Sequence, residues 1–378
     1  MIYNKGQKKA MQEEVIEKKN RRRELDFLRG IAILLVLFRH QLLFSFLKQM
    51  GWIGVDLFFV LSGFLVSGLL FKEFQKFGVI DPKLFLIQRG FKIYPIYYLT
   101  YILYILAIIM EHNLKLKKVF FDLVFIQNYA LGWGYGYPAS WSLAVEEHFY
   151  FGLVLLLWLI FNKKLIRFND FTENRFSAFE KLLLVALVCV FILRIISNIE
   201  FPNQMVRNTT MSHLRIDSLL AGVLISYWYH FKRNKLILYY SKYQKYLLVL
   251  SFFFISFTPF IEPIGSFFVK TIGFTMLYIA FGILILHFLL DSQINSRINR
   301  IFSTVLVSFI SKIRFSSYSI YVIHSFVIYL VRLLNLDNRY LCFLLVSVVS
   351  IGTGFLMTYK VEKCFLNYRD QYFPSRAI

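Results

Sequence analysis

The sequence predicts an all-α integral membrane protein in which about ten transmembrane helices surround a polar intramembrane cavity. Composition is the first reason: 58% of the 378 residues are hydrophobic and 19% are aromatic, which exceeds the apolar share typical of soluble domains. The second reason is that long apolar segments recur along the chain, with only seven prolines to interrupt them. The third is that several of these segments contain ionisable residues, which usually face a bundle interior or a water-filled cavity.

Ten apolar segments approach the roughly 20 residues that a helix needs to cross a bilayer. They lie near 27–47, 51–72, 92–111, 144–161, 182–198, 214–231, 245–260, 267–290, 316–334 and 340–361. The longest connection, 112–143, also contains an apolar stretch, so a separate soluble catalytic domain does not fit. We expect a basic cytoplasmic N-terminal tail at 1–23, a transmembrane domain at 24–362 and a short cytoplasmic C-terminal tail at 363–378.

The net charge of +21 is distributed as a membrane topology signal and not as a nucleic-acid-binding surface. Basic residues concentrate in the terminal regions and in alternate loops, near 72–92, 161–181, 231–245 and 291–316. The intervening loops hold few, as expected when alternate loops face the cytoplasm. We therefore expect both termini in the cytoplasm, membrane lipids around the helices and no nucleic-acid partner. The N-terminal tail provides either a topology signal alone or also a contact with anionic headgroups.

The first predicted span carries Asp26, Arg29 and His40. Each isolated charge at membrane depth costs about 2.5–3.5 kcal/mol on insertion scales, so these residues need a partner or a function. At about 100° per residue, one helix face carries all three, with Arg29 and His40 about 16 Å apart along the axis. This spacing predicts a polar seam that runs from the cytoplasmic surface towards the other side.

The second predicted span combines small and polar residues. Gly63 and Ser67 are four residues apart, a spacing that lets two helices approach closely. Ser62 and Gly63 therefore serve either packing or function. Asp56 lies near the outer entrance of this span, either as a solvated end charge or as a cavity residue.

Two further clusters lie at the start of the third and fourth spans. Arg89 and Lys92 are three residues apart on one helical face, which suits either one polyanion or the ordinary cytoplasmic charge of a loop. In the fourth span, Glu146 and Tyr150 are one helical turn apart. A carboxylate just inside the membrane boundary usually lines a cavity.

The remaining polar and aromatic residues give weaker indications of function. Arg215 and Asp217 are close enough in sequence to form a structural ion pair, although a role in the cavity stays open. His324, near the middle of the ninth span, either makes a structural hydrogen bond or lines the cavity. The loop Leu131–Pro138 contains three aromatic rings, which either stack on a sugar or belong to an aromatic belt at the membrane interface.

Taken together, these segments resemble acyltransferase family 3, whose members O-acylate cell-surface carbohydrates and related acceptors. The resemblance covers roughly residues 24–362 and depends on an ordered set of motifs: Leu25–Gly30 with His40, Phe58–Phe64, Trp141–Tyr150, Arg215–Gly222 and Tyr318–His324. Three positions differ from the family pattern. Gln88 stands where the first arginine of the basic signature is usual. Lys92 stands where arginine is usual and cannot offer a planar bidentate fork, and His148 stands where glutamine is common.

The resemblance implies an O-acyltransferase of the bacterial plasma (inner) membrane. Its co-substrate would be cytoplasmic acyl-CoA, with acetyl-CoA expected, and no cofactor or metal would be bound. The acceptor would be an extracytoplasmic glycan or lipid-linked glycan, such as an O-antigen, a capsule or an exopolysaccharide.

Site roles follow from the same reasoning. We expect Arg29, Arg89 and Lys92 to hold the anionic donor, His40 to take the proton of the acceptor hydroxyl and Glu146 to orient the imidazole. The supporting or cavity-lining residues are expected to be Asp26, Asp56, Ser62, Trp141, Glu147, Tyr150, Arg215, Asp217 and His324. Whether transfer is direct or passes through an acyl-enzyme stays open.

Two other classes of function fit a membrane protein with polar intramembrane residues. A secondary transporter is one, although no inverted repeat or pair of broken helices is evident. A non-catalytic exporter of an acylated polysaccharide is the other. Transfer or hydrolysis of acyl-CoA by the purified protein separates the enzyme from both.

Overall fold

The computed structural model describes residues 23–40, 45–166 and 176–376, and all regular secondary structure in these ranges is helical. This agrees with the predicted all-α class; the predicted N-terminal tail lies almost entirely outside the described residues. The helices are α1 Arg23–Arg39, α2 Ser45–Met50, α3 Ile53–Phe77, α4 Pro82–Met110, α5 Leu116–Leu123, α6 Gln127–Ala130, α7 Trp141–Phe161, α8 Ala178–Glu200, α9 Arg207–Thr210, α10 Ser212–Phe231, α11 Arg233–Ile255, α12 Phe274–Leu290, α13 Ile294–Phe302, α14 Thr304–Ile313, α15 Ser317–Leu333, α16 Arg339–Met357 and α17 Lys363–Tyr372.

Seven helical segments in the described ranges are long and apolar enough to cross a membrane. They are Ile53–Phe77, Pro82–Met110, Pro138–Phe161, Ala178–Glu200, Val269–Leu290, Thr304–Leu333 and Arg339–Tyr372. Three other predicted spans coincide with α1, α10 and α11, which are shorter or carry more charge. These seven helices support a multi-pass membrane protein. The predicted number of ten transmembrane helices stays a prediction.

The first helix ends earlier than the sequence suggested. The predicted span near 27–47 is replaced by α1, which stops at Arg39, and His40 lies in the following turn. Arg39 and His40 interrupt the apolar run, and the Arg39 guanidinium forms an ion pair with Glu262. The prediction that Arg29 and His40 share one helix face assumed a continuous helix. That helix ends at Arg39, one residue before His40.

The hairpin between α3 and α4 shows how local sequence sets the helix ends. Gly78 adopts a φ of 71° after the last turn of α3, and its N–H donates to the Phe74 carbonyl. A left-handed residue at this position is the usual glycine stop of a helix. The Asp81 side chain then accepts from the Leu84 N–H at 3.0 Å, and Pro82 follows as the first helical residue.

Two glycines bring the backbones of α3 and α10 into contact. A Cβ atom at Gly63 would lie 2.0 Å from the Leu219 carbonyl oxygen, and one at Gly222 would lie 2.2 Å from the Val60 carbonyl oxygen. No side chain fits in such a space, so the two backbones are in direct contact. This is the close packing that the spacing of small residues predicts.

The segment after Glu362 is helical and packs against α4. The chain passes from α16 through a π-helical turn, Thr358–Glu362, directly into α17. The ring of Phe91 lies 5.8 Å from that of Tyr368 and 5.9 Å from that of Phe373. The predicted tail therefore contains an ordered helix, while its cytoplasmic location stays a prediction.

The aromatic loop Leu131–Pro138 is held down by Asp122. The Asp122 carboxylate accepts from the N–H groups of Tyr135 and Gly136, at 2.9–3.0 Å, and from the Tyr101 hydroxyl at 3.0 Å. Burial raises the pKa of Asp122 to about 6, although these three donors favour the ionised form.

Two of the three rings in this loop pack against the helix bundle. Tyr137 is buried and stacks on Tyr104, with ring centroids 5.2 Å apart. Trp133 is half-buried and meets the edge of Trp141. These rings pack against the bundle, which disfavours a platform for sugar stacking.

Candidate active site

Six of the predicted site residues line one cavity of about 100 Å³ inside the helix bundle. They come from four different helices: Arg29 from α1, Ser62 from α3, Arg89 and Lys92 from α4, and Glu146 and Tyr150 from α7. The rest of the wall is largely apolar, with Ser142, Ser317, Tyr318 and Tyr321 as further polar residues. Such a mixture of apolar walls and a few convergent polar groups is typical of a small-molecule site.

Glu146 carries the one carboxyl group among the described residues that line this cavity. Its Oε1 accepts from the Ser62 hydroxyl at 2.9 Å, and its Oε2 accepts from the Tyr150 hydroxyl at 3.0 Å. Tyr150 lies one helical turn after Glu146, as the spacing on α7 predicts. Both carboxylate oxygens therefore have a fixed donor, which sets the orientation of the side chain.

Arg29 and Arg89 place positive charge beside this carboxylate. Neither has a carboxylate oxygen within ion-pair distance among the described residues, and the buried Nε of Arg29 has no hydrogen-bond partner there. The Arg89 guanidinium lies 5.5 Å from the ring centroid of Phe85 and 5.7 Å from that of Tyr150. The aromatic faces hold the cation without neutralising it, so the cavity can accept an anionic ligand.

Lys92 differs from the two arginines. Its ammonium group forms an ion pair with Glu362, a buried residue of the π-helical turn before α17. Glu362 also accepts from the Ser319 hydroxyl at 3.4 Å. Sequence reasoning grouped Lys92 with the arginines and missed Glu362, whose only signal was an acidic residue at the end of an apolar span.

His40 does not line the cavity. It is exposed at the end of α1, and its ring centroid lies 5.2 Å from that of His324. His324 is fully buried; its Nδ1 contacts the carbonyl oxygen of Tyr321, and the two rings are 5.6 Å apart. Since Tyr321 lines the cavity, Tyr321 and His324 lie between the cavity and His40. The expected contact of Glu146 with His40 is absent among the described hydrogen bonds.

Two buried ion pairs replace the one expected between Arg215 and Asp217. Arg215 pairs with Asp56 at 2.6 Å, and Asp217 pairs with Arg194 at 3.0 Å. All four side chains are at most 1% exposed. The expected pair was wrong because residues two apart point about 200° apart around a helix. Asp56 is likewise not a solvated end charge, since Arg215 from α10 meets it inside the bundle.

The two ion pairs lie outside the cavity and contact the helix that carries Glu146. The Arg215 guanidinium lies 3.5 Å from the ring centroid of Phe274 and 5.7 Å from that of Trp141. Trp141 begins α7, the helix that carries Glu146. Four predicted supporting residues, Asp56, Trp141, Arg215 and Asp217, therefore contact one another or the same network outside the cavity.

Two other predicted residues also lie outside the cavity wall. Asp26 forms an ion pair with Arg314 at 2.9 Å, which ties α1 to the turn before α15. Glu147 accepts from the Tyr94 hydroxyl at 3.0 Å and so joins α7 to α4. Both hold helices that contribute to the cavity.

The sequence interpretation selected Ser62 and Tyr150 but missed the other hydroxyl-bearing residues of the cavity wall, which are Ser142, Ser317, Tyr318 and Tyr321. The Ser142 hydroxyl is 2.6 Å from that of Tyr321, and the Tyr321 hydroxyl also donates to the Ala139 carbonyl at 3.0 Å. Tyr321 belongs to the quoted segment Tyr318–His324, from which only the histidine was selected. Serine and tyrosine are common in apolar helices, so composition gives no signal for them.

Comparisons with known proteins add the following. A family model described as an acyltransferase domain matches residues 22–359. The peptidoglycan O-acetyltransferase OatA of Listeria monocytogenes is 33% identical over 38% of this chain and 26% of its own length. A Staphylococcus aureus protein named "Putative O-acetyltransferase" is 27% identical over 93% of this chain. This chain covers 59% of that relative, so it spans less than two thirds of either one. No solved structure shows a significant match.

Proposed function

This chain belongs to the acyltransferase domain family, and on that basis we propose that it is a membrane-bound O-acyltransferase. It moves an acyl group, with acetyl expected, from cytoplasmic acyl-CoA to a hydroxyl group of an extracytoplasmic carbohydrate. The observation that carries this proposal is the cavity in which Arg29 and Arg89 lie beside the hydrogen-bonded Glu146.

The two arginines suit the donor. Acyl-CoA is strongly anionic through its phosphates, and a guanidinium binds phosphate oxygens through paired, charge-assisted hydrogen bonds. The basic loops lie at the end of the bundle where α1 and α4 begin, which the positive-inside rule assigns to the cytoplasm. The donor therefore enters from that end, with its thioester in the cavity and its phosphates towards the mouth. Lys92 contributes less positive charge because Glu362 neutralises it.

The acceptor enters from the opposite end. His40 is exposed there, and its neutral imidazole can take a proton from an acceptor hydroxyl. The name of the Listeria relative specifies peptidoglycan; we extend the proposal to extracytoplasmic or lipid-linked glycans as a class. The protein then belongs in the bacterial plasma (inner) membrane with both termini cytoplasmic.

Net transfer is balanced without a cofactor. The acceptor oxygen forms a bond to the acyl carbon, the carbon–sulfur bond of the thioester breaks, and the proton lost by the acceptor is matched by the one that CoA gains. Arg29, whose buried Nε has no hydrogen-bond partner within the described ranges, can stabilise negative charge that develops on the acyl oxygen.

Acyl transfer by the purified protein in proteoliposomes tests this function. Radiolabelled acetyl-CoA is supplied on the side of loop 78–81, glycan acceptors on the other side, and label in the glycan is measured. We expect transfer by the wild type and a large loss in Arg89→Ala. Lys83→Ala is the matched control, since Lys83 is an exposed cation on the same helix. A folded protein that moves glycan without consuming acetyl-CoA would instead be a transporter or an exporter.

A further inference from the structure

Ser62 is the cavity hydroxyl that faces the carboxylate of Glu146. Its Oγ donates to Glu146 Oε1 at 2.9 Å, and the side chain is 8% exposed. The next residue, Gly63, is in backbone contact with α10, so the position of Ser62 on α3 is fixed. A hydroxyl held against a base in this way has the arrangement of an activated nucleophile.

The remaining contacts of Glu146 favour a role as that base. Tyr150 occupies Oε2, which leaves Oε1 to exchange a proton with Ser62. The other serines of the cavity lack such a partner: Ser142 contacts the Tyr321 hydroxyl, and Ser317 has no hydrogen bond to a carboxylate among the described residues.

The size of the cavity favours two steps over one. Its volume of about 100 Å³ is below the about 150 Å³ of an engineered cavity that holds one benzene molecule. A short acyl group fits in this space, whereas a thioester arm and a sugar together do not. Donor and acceptor also arrive from opposite ends of the bundle under the proposed function. If a residue of the cavity holds the acyl group, the donor and the acceptor can occupy the cavity one after the other.

We propose that Ser62 carries the acyl group as an ester between donor and acceptor, with Glu146 as its base; this inference rests on the proposed function. In the first step the Ser62 proton passes to Glu146, Oγ bonds to the thioester carbonyl carbon and the carbon–sulfur bond breaks. The CoA thiolate takes the proton from Glu146 and leaves as the thiol. The acyl group is then an ester on Oγ, and Glu146 is again a carboxylate.

In the second step an acceptor oxygen bonds to the same acyl carbon and the carbon–Oγ bond breaks. The acceptor gives its proton to His40, which releases it to water outside, and Ser62 Oγ takes up one proton from water through Glu146, so one proton is lost and one is gained. Only small acyl groups can be carried, so acetyl-CoA and propionyl-CoA are donors and long-chain acyl-CoA is excluded.

Trapping the intermediate tests this inference. The purified full chain is mixed with radiolabelled acetyl-CoA in the absence of acceptor, quenched in acid within milliseconds to seconds, and digested for mass spectrometry. We expect close to one acetyl group per folded molecule on the peptide that contains Ser62, and its release when a glycan acceptor is added.

Variants separate chemistry from folding. Ser62→Ala should abolish the label and lower transfer by at least about 10²-fold, whereas Ser67→Ala, which removes a buried hydroxyl of the same helix that lies outside the cavity and donates to the Gly63 carbonyl, should keep both. Ser62→Cys should form a thioester that neutral hydroxylamine cleaves, unlike the serine ester. A purely structural serine would not change the chemical lability of the label.

Each outcome has one meaning. Transfer that continues in Ser62→Ala, or a wild type that transfers without any protein-bound label at the shortest times, overturns the serine carrier and leaves the proposed function intact. Label found on Tyr150 or His40 also overturns it. A wild type that neither transfers nor hydrolyses acetyl-CoA contradicts the proposed function itself.

Discussion

Arg89 and Lys92 lie one helical turn apart and line the same cavity, yet the structure predicts different effects when each is replaced by alanine. Arg89 has aromatic neighbours and no carboxylate partner among the described ion pairs, so its charge is available to a ligand. Lys92 is paired with Glu362, 270 residues later in the chain. Arg89→Ala should therefore impair donor use, and Lys92→Ala should mainly impair stability.

The magnitudes follow from these surroundings. Loss of one charged contact to phosphate is worth about 1.5–3 kcal/mol, so Arg89→Ala should lower kcat/KM for acetyl-CoA roughly tenfold to hundredfold. Removing one partner of a buried ion pair costs about 3–5 kcal/mol. The side chain of Lys92 is 33% exposed and that of Glu362 only 2%, so solvent screening places Lys92→Ala at about 3 kcal/mol or less. That is a large part of a typical net stability of about 5–15 kcal/mol.

The assay measures both quantities on the same preparations. Acetyl-CoA is titrated at fixed acceptor, and folded protein is followed by size exclusion after a graded heat challenge in detergent. The double variant Lys92→Ala with Glu362→Gln removes both charges and should regain most of the heat resistance. If Lys92→Ala weakens acetyl-CoA use as much as Arg89→Ala and folds normally, the ion pair with Glu362 does not persist in the working protein.

Three further predictions concern catalysis, topology and packing. His40→Ala and His40→Gln should both lower transfer at least about 10²-fold at normal folded yield, because neither side chain can take the proton; near-normal specific activity in both variants removes His40 from the mechanism. A cysteine at Lys117 should react with impermeant reagents added outside the cell and one at Gly78 should not, and the reverse pattern inverts the proposed sidedness. Gly63→Ala should sharply reduce folded yield because a Cβ atom there meets backbone at 2.0 Å, whereas Gly152→Ala, with open space at the same position, should be neutral. Equal yields of the two alanine variants contradict the direct backbone contact.

The sequence predicted the features that depend on local spacing. The all-α class, the turn that separates Glu146 from Tyr150 and the shared face of Arg89 and Lys92 all follow from the helical repeat, and the structure places these four side chains around one cavity. Their chemical roles stay predictions.

Pairings between distant parts of the chain had no such signal. Asp56 and Arg215 are 159 residues apart, so no periodicity indicates that they meet. The contact of Lys92 with Glu362 could not be predicted from the sequence for the same reason, since these residues are 270 positions apart. His40 shows the limit of extrapolation along one helix, because α1 ends one residue before it. The local pattern identified which residues are polar at membrane depth, and only the tertiary fold shows which of them are neutralised.

The ion pair between Asp56 and Arg215 has a consequence for biosynthesis. Because a chain is made from its N-terminus at about 5–20 residues per second, Asp56 enters the membrane well before Arg215 exists. An unpaired aspartate costs about 2.5–3.5 kcal/mol at the centre of a span and less near its end, where Asp56 lies in the first turn of α3. Until α10 is made, this charge lacks Arg215. We expect α3 to stay beside the insertion machinery, or with Asp56 protonated, until α10 emerges. On this reasoning, we expect α3 and α10 to pair late, although α3 enters the membrane early.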